Sequence, residues 1–383
     1  MAVIISYIIL LLFFSKKEPA IFKPALISSA LLVFFHVLFF IEFQYGTIDY
    51  FISDERVYLN IGSSNQLNDD AIKDRVLWFY LTEFVERTDF TGGLFSKLIS
   101  LPLVPVLIYL VFKISGTNKS LYVFLFLPYI LFIMQTALRD SMILVLSVSF
   151  IYVSFNRERK FLIFGGVLLL FIFALRPFYI PLLLTAFIMT KYFLETDELD
   201  FRAKLFKALK YLLISIVISL VIYLAFKSKF DQYLRNISYY YEFGLNIDDE
   251  KTTVTPSFSL NYILYSFVRF VFTPLPTSLI DRMLTGTVTQ FGYVDDFIRM
   301  INQSFLFLML FYIISRPNAL YAYFKSLVYS SREFCLLFFI FINTIVYSFY
   351  YAGGGHSRLK IAVFLGVFII FNGVMKFNVK KEK

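Results

Sequence analysis

Long apolar runs constrain this chain more than any other feature of its sequence. A helix of about 20 apolar residues crosses the ~30 Å hydrocarbon layer of a membrane. The chain has several runs near this length with almost no charge inside them, including 25–41, 120–138, 161–175, 211–226 and 359–375. The pattern predicts an all-α, polytopic integral membrane protein, with residues 1–383 forming a single transmembrane domain.

Composition agrees with this class and excludes others. Only 16% of the residues are charged, against about 25% in ordinary soluble domains. The net charge of +9 is therefore first a signal of membrane topology, and no nucleic-acid partner is expected. Cys335 is the only cysteine, so an intrachain disulfide and a cysteine-based metal or redox motif are excluded. No Walker-type, zinc-protease or serine-esterase motif is visible.

Basic connections predict how the spans are oriented. The segments 15–24, 156–160 and 315–332 and the C-terminal tail carry clustered Lys and Arg, which places them in the cytoplasm by the positive-inside rule. This arrangement predicts an outside N-terminus, an inside C-terminus and about 11 transmembrane helices. We expect the spans near 1–14, 25–45, 97–114, 120–138, 141–155, 161–175, 178–194, 205–226, 302–314, 333–350 and 359–375. Two long external segments remain, at 46–96 and 227–301.

Segment 258–273 is apolar but is not counted among these spans. A span here would move the basic C-terminal tail outside, so we interpret it as a re-entrant or interfacial helix. Tyr265 and Arg269 continue a polar stripe at fourfold spacing that starts at Ser257 and includes Asn261. Residues four apart share one helix face. The stripe predicts either a substrate-binding face or the polar side of an amphipathic helix lying at the membrane interface.

Basic residues on the predicted external side carry the functional argument. Arg139 and Arg176 each lie in a very short hairpin connection, and Arg358 follows a run of three glycines and His356. An arginine near hydrocarbon is costly unless it has a partner or faces a wet cavity. Guanidinium groups bind phosphate or pyrophosphate through paired hydrogen bonds. The alternative is that each arginine reaches lipid headgroups or pairs locally, as Arg139 would with Asp140.

External acids form a second set of expected functional residues. Asp54 and Glu55 closely follow the second span, and a carboxylate there would act as a general base on an acceptor hydroxyl. The pairs Asp281–Arg282 and Asp295–Asp296 lie in the second external segment. Exposed acids are more often simply solvated. His36, inside an apolar span, is expected to be a packing residue rather than a ligand.

These features together resemble bacterial Wzy-type oligosaccharide repeat-unit polymerases, within the GT-C class of polytopic membrane glycosyltransferases. The resemblance lies in hydropathy, in the two large external segments, and in three short elements. These elements are Leu138-Arg139-Asp140-Ser141, Leu175-Arg176-Pro177 and His356-Ser357-Arg358. The acidic sequence Asp54-Glu55-Arg56-Val57-Tyr58 also looks like the first-loop signature of some GT-C enzymes. The resemblance implies a GT-C-like fold and a donor glycan joined through pyrophosphate to a polyprenyl lipid.

The same resemblance implies how the residues are used. Transfer would lengthen a surface polysaccharide on the outer face of the bacterial inner membrane, with Arg139, Arg176 and Arg358 stabilising the pyrophosphate leaving group. Asp140 and His356 are further candidates for the catalytic set, and Asp54, Glu55, Tyr265, Arg269 and Arg282 are candidates for substrate binding. No metal or other cofactor is required. Partners would be lipid-linked oligosaccharides, membrane lipid, a chain-length regulator and a flippase.

Three alternatives to the polymerase remain. A glycan ligase or another GT-C enzyme would use the same donor chemistry. A flippase for lipid-linked oligosaccharides belongs to a different class, and the absence of an internal repeat counts against it. A non-catalytic membrane scaffold would leave the external arginines without a role.

Overall fold

The computed structural model describes most of the predicted membrane domain and parts of its connections. The described residues are 1–46, 48, 76–88, 96–136, 139–156, 158–195, scattered positions between 206 and 227, 260–287, 292–327, 329–350 and 360–379. Of these residues 88% are helical and none lies in a strand. The all-α prediction is confirmed for this part of the chain.

Fifteen α-helices are described, in chain order. They are α1 (Ala2–Lys17), α2 (Phe22–Gln44), α3 (Val76–Arg87), α4 (Leu103–Ser115), α5 (Val123–Phe126), α6 (Pro128–Met134), α7 (Asp140–Ser154), α8 (Arg159–Leu175), α9 (Tyr179–Glu195), α10 (Leu260–Phe272), α11 (Pro276–Thr285), α12 (Gly292–Ile314), α13 (Pro317–Leu327), α14 (Ser331–Tyr350) and α15 (Ile361–Val379). Short 3-10 turns precede α2, α4 and α5.

Several of these helices suit a membrane by length and composition. Among the described residues, four helical segments are long and apolar enough to cross it, namely Pro19–Gln44, Gly292–Ile314, Ser331–Ser348 and Ile361–Asn378. The shorter helices α4, α7, α8 and α9 are also apolar. Residues on α8 such as Ile163 and Leu170 expose about 70% of their surface (72% and 69%), as lipid-facing side chains do. A membrane-embedded protein is therefore supported, while the total of about 11 spans and the GT-C-like fold stay predictions.

Proline sets the helix boundaries at two positions near the site. Arg176 precedes Pro177 and is extended (φ −161°, ψ 91°), because a residue before proline disfavours the helical conformation. α8 therefore ends at Leu175 and the chain turns back into α9. Likewise Leu127 precedes Pro128 and is non-helical (φ −128°, ψ 63°), which separates α5 from α6.

Two expected spans differ from the structure. The expected single span 120–138 is broken at Leu127, and its second piece, α6, is short but has all of its residues buried. The expected span 302–314 begins earlier, because α12 is one continuous helix from Gly292. Asp295 and Asp296, expected in an external segment, are consequently buried within α12 with no measurable exposure.

Polar contacts bring the predicted cytoplasmic connections to one end of the helices. Lys113 Nζ at the end of α4 lies 2.6 Å from Glu18 Oε2, just after α1. Arg332, at the start of α14, donates to Asn156 Oδ1 at 2.8 Å, in the connection between α7 and α8. The hairpin connection at Arg176 joins the opposite ends of α8 and α9. The described helices thus have a basic end and, opposite it, an end that carries Arg139 and Arg176.

Cysteine labelling tests which end faces outward. In a Cys335→Ala background, Tyr45→Cys and Glu158→Cys place thiols at opposite ends, on side chains that are 81% and 63% exposed. A membrane-impermeant maleimide added to intact cells should modify the first and should modify the second only after permeabilisation. The two variants serve as controls for each other, and the reverse pattern would show that the orientation is inverted.

Candidate functional site

The two short hairpins predicted to hold functional arginines meet in the structure. Arg176 Nη2 lies 3.1 Å from Asp140 Oδ1, in the first turn of α7. The two side chains are only 12% and 7% exposed. Arg139, the residue before α7, donates from Nη1 to the carbonyl oxygen of Leu175 at 2.6 Å, and this oxygen belongs to the last turn of α8, where carbonyls lack intrahelical donors.

Aromatic residues fix the guanidinium of Arg176. Its Nη1 donates to the hydroxyl of Tyr347 on α14, and Tyr179 donates to the same hydroxyl oxygen at 3.3 Å. The guanidinium carbon also lies 5.7 Å from the ring centroid of Phe178 and 5.9 Å from that of Tyr179. Rings at this distance attract a cation and limit its rotation. The fork of Arg176 is therefore held in one orientation before any ligand binds.

Lys360 extends this cluster from a fourth part of the chain. It has no measurable exposure, and its Nζ donates to the carbonyl oxygen of Thr273 at 2.5 Å and lies 3.3 Å from the Thr273 hydroxyl. The ammonium lies 5.1 Å from the ring centroid of Phe270, and this ring stacks on Tyr347 with centroids 6.4 Å apart. We call Arg139, Arg176 and Lys360 the basic cluster.

The helix ends favour an anion at the basic cluster. Within the described part of the chain, Arg176 pairs with Asp140. The helices α7, α9 and α15 begin at Asp140, Tyr179 and Ile361, next to the cluster. Helix N-termini carry partial positive charge and unpaired N–H groups. The arrangement suits a phosphate or pyrophosphate.

A second polar cluster lies on the first half of α12. Its members on this helix are Asp295, Asp296, Arg299, Asn302 and Gln303, and none is more than 7% exposed. Asp295 Oδ2 lies 2.6 Å from Arg299 Nη2, and Arg299 Nε donates to the Tyr129 hydroxyl at 3.2 Å. The backbone N–H of Tyr129 donates to Asn302 Oδ1 at 3.3 Å. We call this set, with Gln135, the acid and amide cluster.

A glutamate on α2 caps the N-terminus of α12. The carboxylate of Glu42 accepts hydrogen bonds from the backbone N–H groups of Tyr293 (2.5 Å) and Val294 (3.0 Å). A carboxylate at this position satisfies free N–H donors and matches the helix dipole. Gly292 is left-handed (φ +84°), and a Cβ there would lie 2.3 Å from Glu42 Oε1. Only glycine permits this close approach.

Amide groups in the second cluster retain unused hydrogen-bonding capacity. Gln135 Oε1 bonds His36 Nδ1 at 3.0 Å, so His36 is a buried residue with a side-chain partner, as packing requires. Within the part of the chain that the structure describes, Gln135 Nε2, Asn302 Nδ2 and Gln303 Oε1 have no hydrogen-bond partner. Buried polar atoms are normally paired with protein or water, so these atoms are available to water or to a ligand hydroxyl.

The two clusters adjoin each other. Gln135 and Arg139 are four residues apart in the sequence, so their Cα atoms are within about 14 Å. Phe364 lies one turn after Lys360 on α15, and its ring centroid is 6.3 Å from that of Tyr129. The two clusters are therefore linked through α6 and through the start of α15.

The remaining predicted site residues have different positions. Asp54, Glu55, His356 and Arg358 lie outside the described residues. On α10, Tyr265 is 56% exposed and Arg269 is half-buried, while Ser266 and Phe270 are buried. Arg282 is half-buried on α11. The structure brings Arg139, Asp140 and Arg176 together and leaves Tyr265 on the surface of α10.

Lys360 and the burial of Asp295 and Asp296 were missed by the sequence analysis. Lys360 is the second residue of the expected span 359–375, and its position two residues after Arg358 is the signal that could have assigned it to the same group. Among the described residues, no group of three or more His, Cys, Asp or Glu side chains is arranged to hold a metal ion. Comparisons with protein-family models, curated proteins and solved structures gave no match to this chain.

Proposed function

We propose that this protein is a membrane glycosyltransferase that polymerises oligosaccharide repeat units carried on polyprenyl pyrophosphate. The observation that carries the proposal is the basic cluster, in which Arg139 and Lys360 are buried and Arg176 is only 12% exposed beside Asp140. Burying cations at a membrane is unfavourable, and a bound pyrophosphate offsets the desolvation penalty through charge-assisted hydrogen bonds. The proposed location is the outer face of the bacterial inner membrane.

The two clusters have different roles in the proposed reaction. A hydroxyl oxygen of the acceptor sugar forms a bond to the anomeric carbon of the donor, and the bond from that carbon to the pyrophosphate oxygen breaks. The electron pair leaves with the polyprenyl pyrophosphate, and Arg139, Arg176 and Lys360 stabilise its growing charge. The hydroxyl proton passes to a carboxylate. Asp140 is engaged by Arg176, so it acts as a positioning residue rather than as this base.

The acid and amide cluster suits the acceptor sugar. Carboxylates and amides bind sugar hydroxyls through paired donors and acceptors, and this cluster adjoins the basic cluster with amide atoms still unpaired. The base is then one of the acids on this side, with Asp54 and Glu55 as candidates from the first external segment and Asp295 and Asp296 as candidates from α12.

One observation favours a second function, transport of the same lipid-linked oligosaccharide. The break between α5 and α6 places non-helical backbone at Leu127, two residues before Tyr129, whose hydroxyl accepts a hydrogen bond from the buried Arg299 on α12. Discontinuous helices near buried polar groups are common at transporter binding sites. A flippase would use both clusters to bind the glycan and its pyrophosphate without forming a bond.

Reconstitution with defined substrates separates these functions. Purified protein in proteoliposomes should convert a polyprenyl-pyrophosphate-linked repeat unit into a ladder of chains that lengthen by one unit per step. Protein carrying Arg176→Ala serves as the matched negative control. Transfer to an unrelated acceptor with no ladder would indicate a ligase, and movement across the bilayer with no new bond would replace the polymerase proposal by a flippase.

A further inference from the structure

A cavity of about 310 Å³ lies at the basic end of the helices, opposite the basic cluster. It is enclosed by the end of α4, by α13, by the start of α14 and by the end of α15. Its lining includes Ser115, Tyr323, Ser330, Glu333, Gly373 and Lys376. A volume of this size is at the lower end of the range for small-molecule sites. Nothing in the proposed glycosyl transfer uses this cavity.

One wall of the cavity is built around Glu333. This carboxylate is 8% exposed and accepts a hydrogen bond from the Tyr323 hydroxyl at 2.8 Å. Ser330 and Glu333 have the spacing of a capping box at the start of α14. Burial, together with the adjacent carboxylate, raises the pKa of the Tyr323 phenol well above its usual value, so the hydroxyl remains a donor.

A glycine holds this wall in place. A Cβ on Gly373 would lie 2.1 Å from Cε2 of Tyr323, so the tyrosine ring packs directly on the backbone of α15. This contact positions the Tyr323 hydroxyl against Glu333. The carboxyl group of Glu333 is therefore held in the wall of the cavity by contacts among three helices, and its position does not depend on a ligand.

The remaining lining supplies a cation and a buried serine. Lys376 lies on the exposed side of α15 at the cavity. Ser115 is 6% exposed, and its hydroxyl has no hydrogen-bond partner among the described residues. Ser115 therefore contributes to the wall of the cavity through its other atoms.

The position of the cavity limits the source of the ligand. It lies at the end of α4, the start of α14 and the end of α15, which is where the hydrocarbon layer ends in the proposed arrangement. The neighbouring residues Tyr321 and Tyr329 are 73% and 80% exposed, as interfacial aromatic side chains are. Ile114 and Phe377 add apolar lining. The contents of the cavity are thus drawn from the headgroup layer of the membrane.

We propose that this cavity binds the phosphoethanolamine headgroup of a membrane lipid. The ammonium group of the headgroup lies against Glu333 and the phosphate lies against Lys376. An anionic headgroup without an amine, such as phosphoglycerol, leaves Glu333 unmatched and is repelled by it. The proposal is independent of the glycosyltransferase function, because it uses none of the residues of the two clusters.

The test measures lipid retained by the purified full-length protein. Protein extracted from mixed phosphatidylethanolamine and phosphatidylglycerol vesicles is examined by native mass spectrometry after controlled delipidation. We expect one tightly held phosphatidylethanolamine and at least about tenfold less phosphatidylglycerol, the effect of one charge-assisted hydrogen bond. Equal retention of the two lipids, or retention of neither, would overturn the proposal.

Variants assign the retained lipid to this cavity. Lys376→Gln and Ser115→Leu, which fills the cavity, should each lower retention at least about tenfold. Lys325→Gln is the matched control, because Lys325 is an exposed lysine on α13 that does not line the cavity. Unchanged retention in both cavity variants would place the lipid elsewhere and contradict the proposal. Free phosphoethanolamine should compete with the bound lipid and free glycerol phosphate should not.

Discussion

Replacing Arg176 by alanine should lower polymer formation by at least about 100-fold, the usual effect of removing one donor that stabilises a developing anion. The change removes the guanidinium fork that Tyr347 and Asp140 hold in a fixed orientation. Arg176→Lys should recover only part of the activity, because lysine keeps the charge and loses the paired donors. The measurement is the initial rate of repeat-unit addition by purified protein, with the folded fraction determined on the same sample.

A matched arginine controls for loss of packing. Arg332 is also half-buried, donates to Asn156 Oδ1 at 2.8 Å and lies 4.6 Å from the ring of Tyr152, but at the opposite end of the helices. Arg332→Ala should reduce stability and leave the rate per folded molecule within about threefold of the parent protein. A folded Arg176→Ala protein with the parent rate would contradict the role of the basic cluster.

Replacing Arg299 by methionine should destabilise the protein by roughly 3–5 kcal/mol, because it leaves buried carboxylates without the cation of their ion pair. Asp295 and Asp296 have no measurable exposure, and Asp295 Oδ2 lies 2.6 Å from Arg299 Nη2. The free energy of unfolding in detergent, followed by circular dichroism during denaturant titration, measures this change.

Two further variants distinguish the effect of breaking an ion pair from the effect of its burial. Arg299→Met combined with Asp295→Asn should recover part of the loss, because one of the buried charges is removed with its partner. Arg87→Ala breaks an ion pair with Glu83 of the same 2.6 Å length, but with the arginine 77% exposed, and should change stability by less than about 1 kcal/mol. Equal effects at the two sites would show that α12 is not buried in the membrane domain.

Local sequence signals predicted the membrane class and the hairpins well. Apolar runs report burial or lipid contact whatever their partners are, and Pro177 ends α8 through its effect on Arg176 alone. The two short hairpin connections were predicted at the same membrane depth. Arg139, Asp140 and Arg176 were therefore expected to lie near each other. These features depend on a few neighbouring residues, which is why they are readable in the sequence.

The rest of the candidate site depends on contacts between distant residues. Residues 292–301 contain three charges and were assigned to an external segment, since composition favours solvent for such a stretch. Asp295 is tolerated inside because Arg299 pairs with it and Tyr129, which is 170 residues away from Arg299, accepts from the guanidinium. No local pattern encodes such a pairing. The same holds for Tyr347 and Arg176, which are 171 residues apart.

The most direct test of the proposed function measures the leaving group. Purified protein and a lipid-linked repeat unit are combined, and free polyprenyl pyrophosphate is quantified together with new glycosidic bonds. We expect one polyprenyl pyrophosphate to be released for each bond formed, and both products to be lost in Arg176→Ala. Oligosaccharide that crosses the bilayer still joined to its pyrophosphate, with no bond formed and no lipid released, would contradict it.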